Sequence, residues 1–116
     1  NIGWLVTPAF DLTGATDAYI NFKLAQHHLD DEDNNTLEVF VSTDFDGTNV
    51  TTATWEKQNV AIPGEDIPWY AFQDVGLIDV SSYSGNLYVA FKYTGSGTDT
   101  SLDGGYFVDD VLFLKK

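Results

Sequence analysis

The sequence predicts an all-β protein, folded as a single antiparallel β-sandwich domain over residues 1–116. The strongest observation is a period-two alternation of apolar residues in three segments, residues 18–25, 37–42 and 86–93. Turn-rich stretches separate these segments, and no window keeps the helical spacing of apolar residues over three turns. Short strands joined by turns, without intervening helices, favour two packed antiparallel sheets.

Each strand can be assigned in chain order. Residues 4–12 form a strand that breaks at Pro8 and resumes through Phe10 and Leu12. In the three alternating segments, one side carries the residues that we expect in the core, namely Ile20, Phe22, Val39, Val41, Val89 and Phe91. The turn-rich stretches are residues 30–35, 44–52, 63–68 and 94–105, and a closing strand runs through residues 106–111.

The chain is strongly acidic, with a formal net charge of -13 and only five lysines as basic residues. Such a field repels phosphate backbones, so we expect no nucleic-acid partner. The acidity serves solubility, calcium ligation, or both. No apolar run is long enough to span a bilayer, so we expect no membrane partner. The chain begins at Asn1, and we interpret it as one module excised from a larger protein.

We expect no catalytic centre. A hydrolase needs a nucleophile with its base, two carboxylates across a cleft, or a metal ion with an open position. The two histidines, His27 and His28, are adjacent, so they point to opposite sides of a strand and do not easily bind one metal ion together. The chain has no cysteine, and its serines fall in turns and at strand ends.

Acidic residues form the candidate calcium ligands. Asp30, Asp31 and Asp33 lie in a segment dense in carboxylates and amides, the oxygen ligands that Ca²⁺ prefers. The alternative is a solvated acidic loop. Asp109 and Asp110 lie between apolar residues of a strand that we expect to be half-buried, and such a strand requires hydrogen-bond donors, a lysine or a cation for its carboxylates.

A second acidic segment, residues 44–49, has the spacing D-x-D-G-x-N. This spacing suits either a weak calcium chelator or a β-turn with side-chain caps, and the turn is the favoured interpretation.

Outward-facing aromatic and basic residues form the candidate binding site. If the expected core residues face inward, alternation turns their neighbours outward, and we expect one exterior face that carries Tyr19, Lys23, Phe40, Tyr88 and Lys92. Aromatic rings stack on the apolar faces of sugars, and lysines bind sulfate or carboxylate groups. This face therefore predicts a polysaccharide partner, and an anionic one if the lysines take part. The alternative is aromatic packing with a cross-strand ion pair to Glu38.

Four motifs resemble those of the cleaved-adhesin or choice-of-anchor J type domains: residues 4–8 (WLVTP), 37–44 (LEVFVSTD), 89–93 (VAFKY) and 106–111 (YFVDDV). These domains are MAM-like jelly rolls attached to secreted bacterial enzymes and adhesins. The resemblance implies a jelly-roll-like sandwich and an extracellular location, secreted or on the bacterial cell surface. It also implies that Asp109, the first aspartate of the closing motif, ligates a structural Ca²⁺ ion.

We therefore expect a non-catalytic carbohydrate-binding accessory module of a secreted polysaccharide-degrading enzyme. Its partners are a polysaccharide and the catalytic domain of the parent protein. The alternative is an adhesin, or a protein-interaction or spacer domain, without glycan binding. Aromatic residues aligned on one sheet face favour the first function, whereas a flat acidic surface with buried aromatic residues favours the second.

Overall fold

The computed structural model describes residues 2–27, 35–95 and 105–116, and the regular secondary structure of these residues is entirely β. The strands in chain order are β1 (Ile2–Val6), β2 (Phe10–Asp11), β3 (Ala18–His27), β4 (Thr36–Ser42), β5 (Glu56–Gln58), β6 (Gln73–Asp74), β7 (Ile78–Asp79), β8 (Asn86–Thr94) and β9 (Gly105–Lys115). Within the same residues, no helix has the length and apolar composition needed to span a membrane.

The strands form two antiparallel sheets, which confirms the predicted β-sandwich. In the first sheet the order is β1-β8-β4-β5, and β2 also pairs with β8. In the second sheet β3 pairs with β9 along one edge and with β6 and β7 along the other. The long strands cross between sheets, from β3 to β4 and again from β8 to β9, as in a jelly-roll-like sandwich.

The core lies between the two sheets. The six side chains predicted to be buried are each at most 3% exposed, so the alternation gave the correct inward side of β3, β4 and β8. Phe22 of β3 and Phe91 of β8 meet edge to face, with ring centroids 4.9 Å apart. Leu24, Leu37, Val80 and Leu87 extend the same core. This apolar layer fixes which side chains of each strand reach the surface.

The closing strand β9 contains a bulge. Its register with β3 shifts between Asn21 and Lys23, where the partners change from Leu112 to Asp109. Asp110 occupies the left-handed region at φ 53°, a conformation that aspartate tolerates better than most residues with a side chain. The bulge inserts an extra residue, so the strand bends where its two adjacent carboxylates lie.

Candidate ligand-binding face

The structure divides the five predicted ligand residues between two surfaces. Phe40 of β4 and Tyr88 and Lys92 of β8 lie on the outer face of the first sheet, whereas Tyr19 and Lys23 of β3 lie on the outer face of the second sheet. The expectation of one exterior face is therefore wrong. Alternation fixes the side of a strand that faces outward, but it does not reveal which sheet contains the strand.

On the second sheet, Lys23 lies among carboxylates. Lys23 Nζ is 3.2 Å from Asp110 Oδ2, and Asp74 and Asp109 are its cross-strand neighbours. Hydrogen bonds from the Asn21 side chain and from a backbone amide, with a contribution from Lys23, lower the pKa of Asp74. These carboxylates oppose the lysine charge, so this surface is poorly suited to an anionic chain.

The outer face of the first sheet carries a continuous row of aromatic rings, which we call the aromatic face. It consists of Trp4, Phe40, Phe45, Trp55 and Tyr88. Trp4 lies 5.9 Å from Phe40 and 5.5 Å from Trp55 between ring centroids. Phe45 links this group to the rest, at 5.5 Å from Trp55 and 5.0 Å from Tyr88. All five side chains are half-buried, so each keeps part of its surface open to solvent.

The rings cover a small residue at the centre of the sheet. Ala90 points outward by strand alternation, yet it is fully buried. Phe40 is its direct cross-strand neighbour on β4. An alanine at this position leaves room for larger neighbouring side chains such as Phe40.

Charged side chains border the aromatic face. Lys92 lies directly across from Trp4 in the ladder, and its Nζ is 5.5 Å from the centroid of the Trp4 ring. This is within the range of a cation–π contact. Glu38, the other cross-strand neighbour of Lys92, instead pairs with Lys57 at 3.5 Å. The anticipated ion pair to Glu38 is thus formed by a different lysine, and Lys92 stays beside the rings.

Two members of the aromatic face, Phe45 and Trp55, come from turns. The sequence analysis did not predict that they lie beside the aromatic residues of the strands. The Asp44 carboxylate accepts hydrogen bonds from the Ser42 hydroxyl, at 2.6 Å, and from the Thr54 amide, at 2.8 Å. These bonds lower the pKa of Asp44 and hold the two ends of the turn region together. Their chain neighbours Phe45 and Trp55 consequently meet above the sheet. The sequence signal for this contact was that each ring directly follows a capping residue, Asp44 before Phe45 and Thr54 before Trp55.

The D-x-D-G-x-N segment is a capped turn, as favoured from the sequence. The Asp46 carboxylate accepts the amides of Thr48 and Asn49, both at 2.8 Å, and these bonds lower its pKa. Gly47 between them has φ +89°, a conformation that glycine adopts without strain.

Only one of the four predicted calcium ligands, Asp109, is among the described residues. Asp30, Asp31 and Asp33 lie outside the described residues. Asp109 is exposed, and its Oδ1 accepts the Asp110 amide at 2.8 Å. Both carboxylates of the pair are exposed, because the bulge turns the strand there. In residues 2–27, 35–95 and 105–116, no three acidic or histidine side chains are grouped as metal ligands.

The aromatic face offers apolar ring surface with charged groups at its border. Such a surface suits a ligand that has apolar faces and polar edges, as a sugar ring does. No protein-family model matches the chain, and no curated protein matches it significantly.

Proposed function

We propose that the chain is a non-catalytic carbohydrate-binding module whose aromatic face takes a polysaccharide. The observation that carries this proposal is the row of five rings in mutual contact with Lys92 beside it. Within the proposal, the module is extracellular and serves a polysaccharide-degrading enzyme of bacterial origin. The motif resemblance to domains of secreted bacterial proteins supports this setting.

The rings are held in place before a ligand arrives. Trp55 Nε1 donates to the Val50 carbonyl at 2.9 Å, and ring contacts of 5.0 to 5.9 Å connect the row. A side chain that is already ordered loses little rotamer freedom on binding, a cost that otherwise amounts to about 0.5–1.5 kcal/mol for each immobilised side chain. The aromatic face is therefore preorganised for stacking.

The charged border gives the aromatic face its selectivity for anionic sugars. Tyr19 and Lys23 belong to the opposite sheet and are not part of the proposed site, which keeps Phe40, Tyr88 and Lys92. The net charge of -13 repels an anionic chain at long range, so binding depends on local positive charge. Lys92 supplies it beside the Trp4 ring, whereas Lys57 is paired with Glu38. Several modules or sites in one parent protein compensate for weak single-site binding.

A protein-interaction domain is the second candidate. The observation that favours it is the number of large apolar side chains exposed on the rest of the molecule, including Leu77, Phe107, Leu112 and Leu114. Exposed apolar side chains that lie together often mark a docking surface.

Affinity-gel electrophoresis and calorimetry against agar, carrageenan, alginate, fucan and xylan distinguish the two candidates. We expect binding to at least one of these glycans, and a loss of about tenfold, or about 1.4 kcal/mol, in Tyr88→Ala and in Lys92→Ala. Binding to a sulfated or carboxylated glycan weakens as salt rises, because the lysine contacts are screened.

The second sheet provides matched controls for this experiment. Tyr19→Ala and Lys23→Ala remove the same residue types from the opposite side of the sandwich, and we expect them to bind as the unmodified protein does. A loss of binding in these controls alone would move the site to the second sheet. Absence of binding to all five glycans would contradict the carbohydrate proposal.

A further inference from the structure

One side of the sandwich is open between β1 and β9. Two adjacent cavities of about 370 Å³ each lie there, and both are lined by Leu5, Phe91 and Val108. They form a single groove with apolar walls, extended by Leu37 at one end and by Phe113 at the other. We call it the edge groove. In the described part of the chain, β1 pairs only with β8 and β9 pairs only with β3, so each sheet ends at this groove.

One inward-facing side chain, Leu5, is exposed in the edge groove. Leu5 lies opposite Phe91 in the ladder, on the inward side of the first sheet. Phe91 is 3% exposed, but Leu5 is 59% exposed. An inward leucine with that exposure lacks the layer of side chains that covers its neighbours, so an apolar occupant of the groove removes this surface from water.

The edge of β1 is able to bind another strand. Thr7 donates its amide to the Val89 carbonyl at 2.9 Å, and in an antiparallel ladder every second residue faces the same partner. The amides of Leu5 and Gly3 therefore also face β8, whereas those of Val6 and Trp4 point away from it. From Ile2 to Val6 this edge carries no charge, proline or register shift, the features that usually protect an edge strand.

The edge of β9 is protected in comparison. Its bulge interrupts the ladder, Asp110 has a left-handed backbone, and the exposed carboxylates of Asp109 and Asp110 lie there. An incoming strand therefore extends the first sheet along β1, with β9 as the opposite wall of the groove.

The negative charge of the chain favours a basic strand as the occupant of the edge groove. The chain carries a net charge of -13, and Lys23 and Lys57 are already in ion pairs. A second copy of the chain brings the same negative charge and is repelled, whereas a basic strand is attracted. We propose that the edge groove binds an extended, basic strand of a separate polypeptide, whose backbone pairs with β1 and whose alternate apolar side chains enter the groove.

A labelled heptapeptide, Lys-Val-Thr-Val-Thr-Val-Lys, tests the proposal by fluorescence anisotropy with the intact chain. We expect saturable binding. We expect at least tenfold weaker binding for Glu-Val-Thr-Val-Thr-Val-Glu, which has the wrong charge, and for Lys-Thr-Thr-Val-Val-Val-Lys, which breaks the alternation. Equal binding of all three peptides, or no binding of the first, would overturn the proposal.

Two variants locate the peptide. Val6→Pro removes an amide that points away from β8 and leaves the Thr7–Val89 bond in place. Leu5→Asp places a charge in the groove without touching the ladder, and it serves as the test if Val6→Pro does not fold. We expect each to weaken peptide binding at least tenfold. Leu77→Asp, at a 64% exposed leucine that does not line the groove, should bind normally.

Sedimentation of the chain without peptide completes the test. A monomer supports a separate partner, whereas a dimer that Leu5→Asp dissociates would show that a second copy fills the groove and would overturn the proposal. Trp4 lines the groove and also belongs to the aromatic face. Glycan binding is tested through Tyr88 and Lys92, which do not line the groove, so failure of either proposal leaves the other intact.

Discussion

Asp109 and Asp110 place two adjacent carboxylates in a strand while both side chains stay exposed. Asp109 accepts the Asp110 amide at 2.8 Å, and Asp110 pairs with Lys23 at 3.2 Å. The sequence predicted that these groups need a donor, a lysine or a cation, and the structure shows the first two. The bulge was not predictable from alternation, since the flanking Val108 and Val111 read as an ordinary half-buried strand.

The residue-scale prediction compares Phe91 with Tyr88, which occupy opposite sides of β8. Phe91→Ala should lower the free energy of unfolding by about 3–5 kcal/mol, because it removes a buried ring that packs against Phe22. Tyr88→Ala should cost much less, since Tyr88 is half-buried on the outer face and loses mainly its contact with Phe45. Urea denaturation of both variants measures the difference.

The outcome also tests the orientation of the aromatic face. If Tyr88→Ala were more damaging than Phe91→Ala, β8 would present the opposite face to the core, and the aromatic face would not be a surface.

At the scale of single elements, period-two patterns predicted β3, β4 and β8 well because each strand buries its large apolar side chains on one side. Ala25 and Ala90, outward residues that are also buried, are small. The short strands β5, β6 and β7 were not predicted. They contain two or three residues each, mostly polar and exposed, so no alternation is present to detect. Their position depends on pairing with β3 and β4, which is a tertiary effect.

The element-scale prediction concerns the bulge in β9. Asp110→Val places a β-branched residue at φ 53°, and we expect it to destabilise the fold by about 1–3 kcal/mol. Asp110→Gly accepts the same backbone conformation and loses only an exposed ion pair, which costs at most about 1 kcal/mol. Thermal and urea unfolding give both values.

Lys23→Ala isolates the contribution of the ion pair in the same experiment, since it removes the partner of Asp110 without changing the β9 backbone. Equal destabilisation by the valine and glycine variants would show that the left-handed conformation is not required.

At the scale of the whole molecule, the sequence predicted the sandwich but not the distribution of strands between its sheets. β3 and β4 follow one another in the chain and show the same alternation, yet they belong to opposite sheets. Tyr19 and Lys23 were therefore assigned to the same surface as Tyr88 and Lys92. The aromatic face depends on Phe45 and Trp55, which reach it from turns, and local patterns do not reveal such long-range contacts.

The last prediction concerns calcium and the stability of the whole fold. We expect Ca²⁺ to raise the melting temperature, with Asp109 and the acidic residues Asp30, Asp31 and Asp33 as the proposed ligands. A ligand that binds only the native state adds RT ln(1 + [L]/Kd), which is about 2.7 kcal/mol at a hundredfold excess over Kd. Melting in excess calcium and in EDTA measures the effect.

Asp109→Asn separates the two groups of proposed ligands. An asparagine oxygen still accepts the Asp110 amide, so the bulge keeps its hydrogen bond while the charge is lost. If Asp109 is a principal ligand, the calcium response falls in this variant. A full response in Asp109→Asn would exclude Asp109 as a principal ligand and leave Asp30, Asp31 and Asp33 as the proposed ligands. Identical melting temperatures of the unmodified protein in calcium and in EDTA would refute the calcium prediction and leave solubility as the role of the acidic charge.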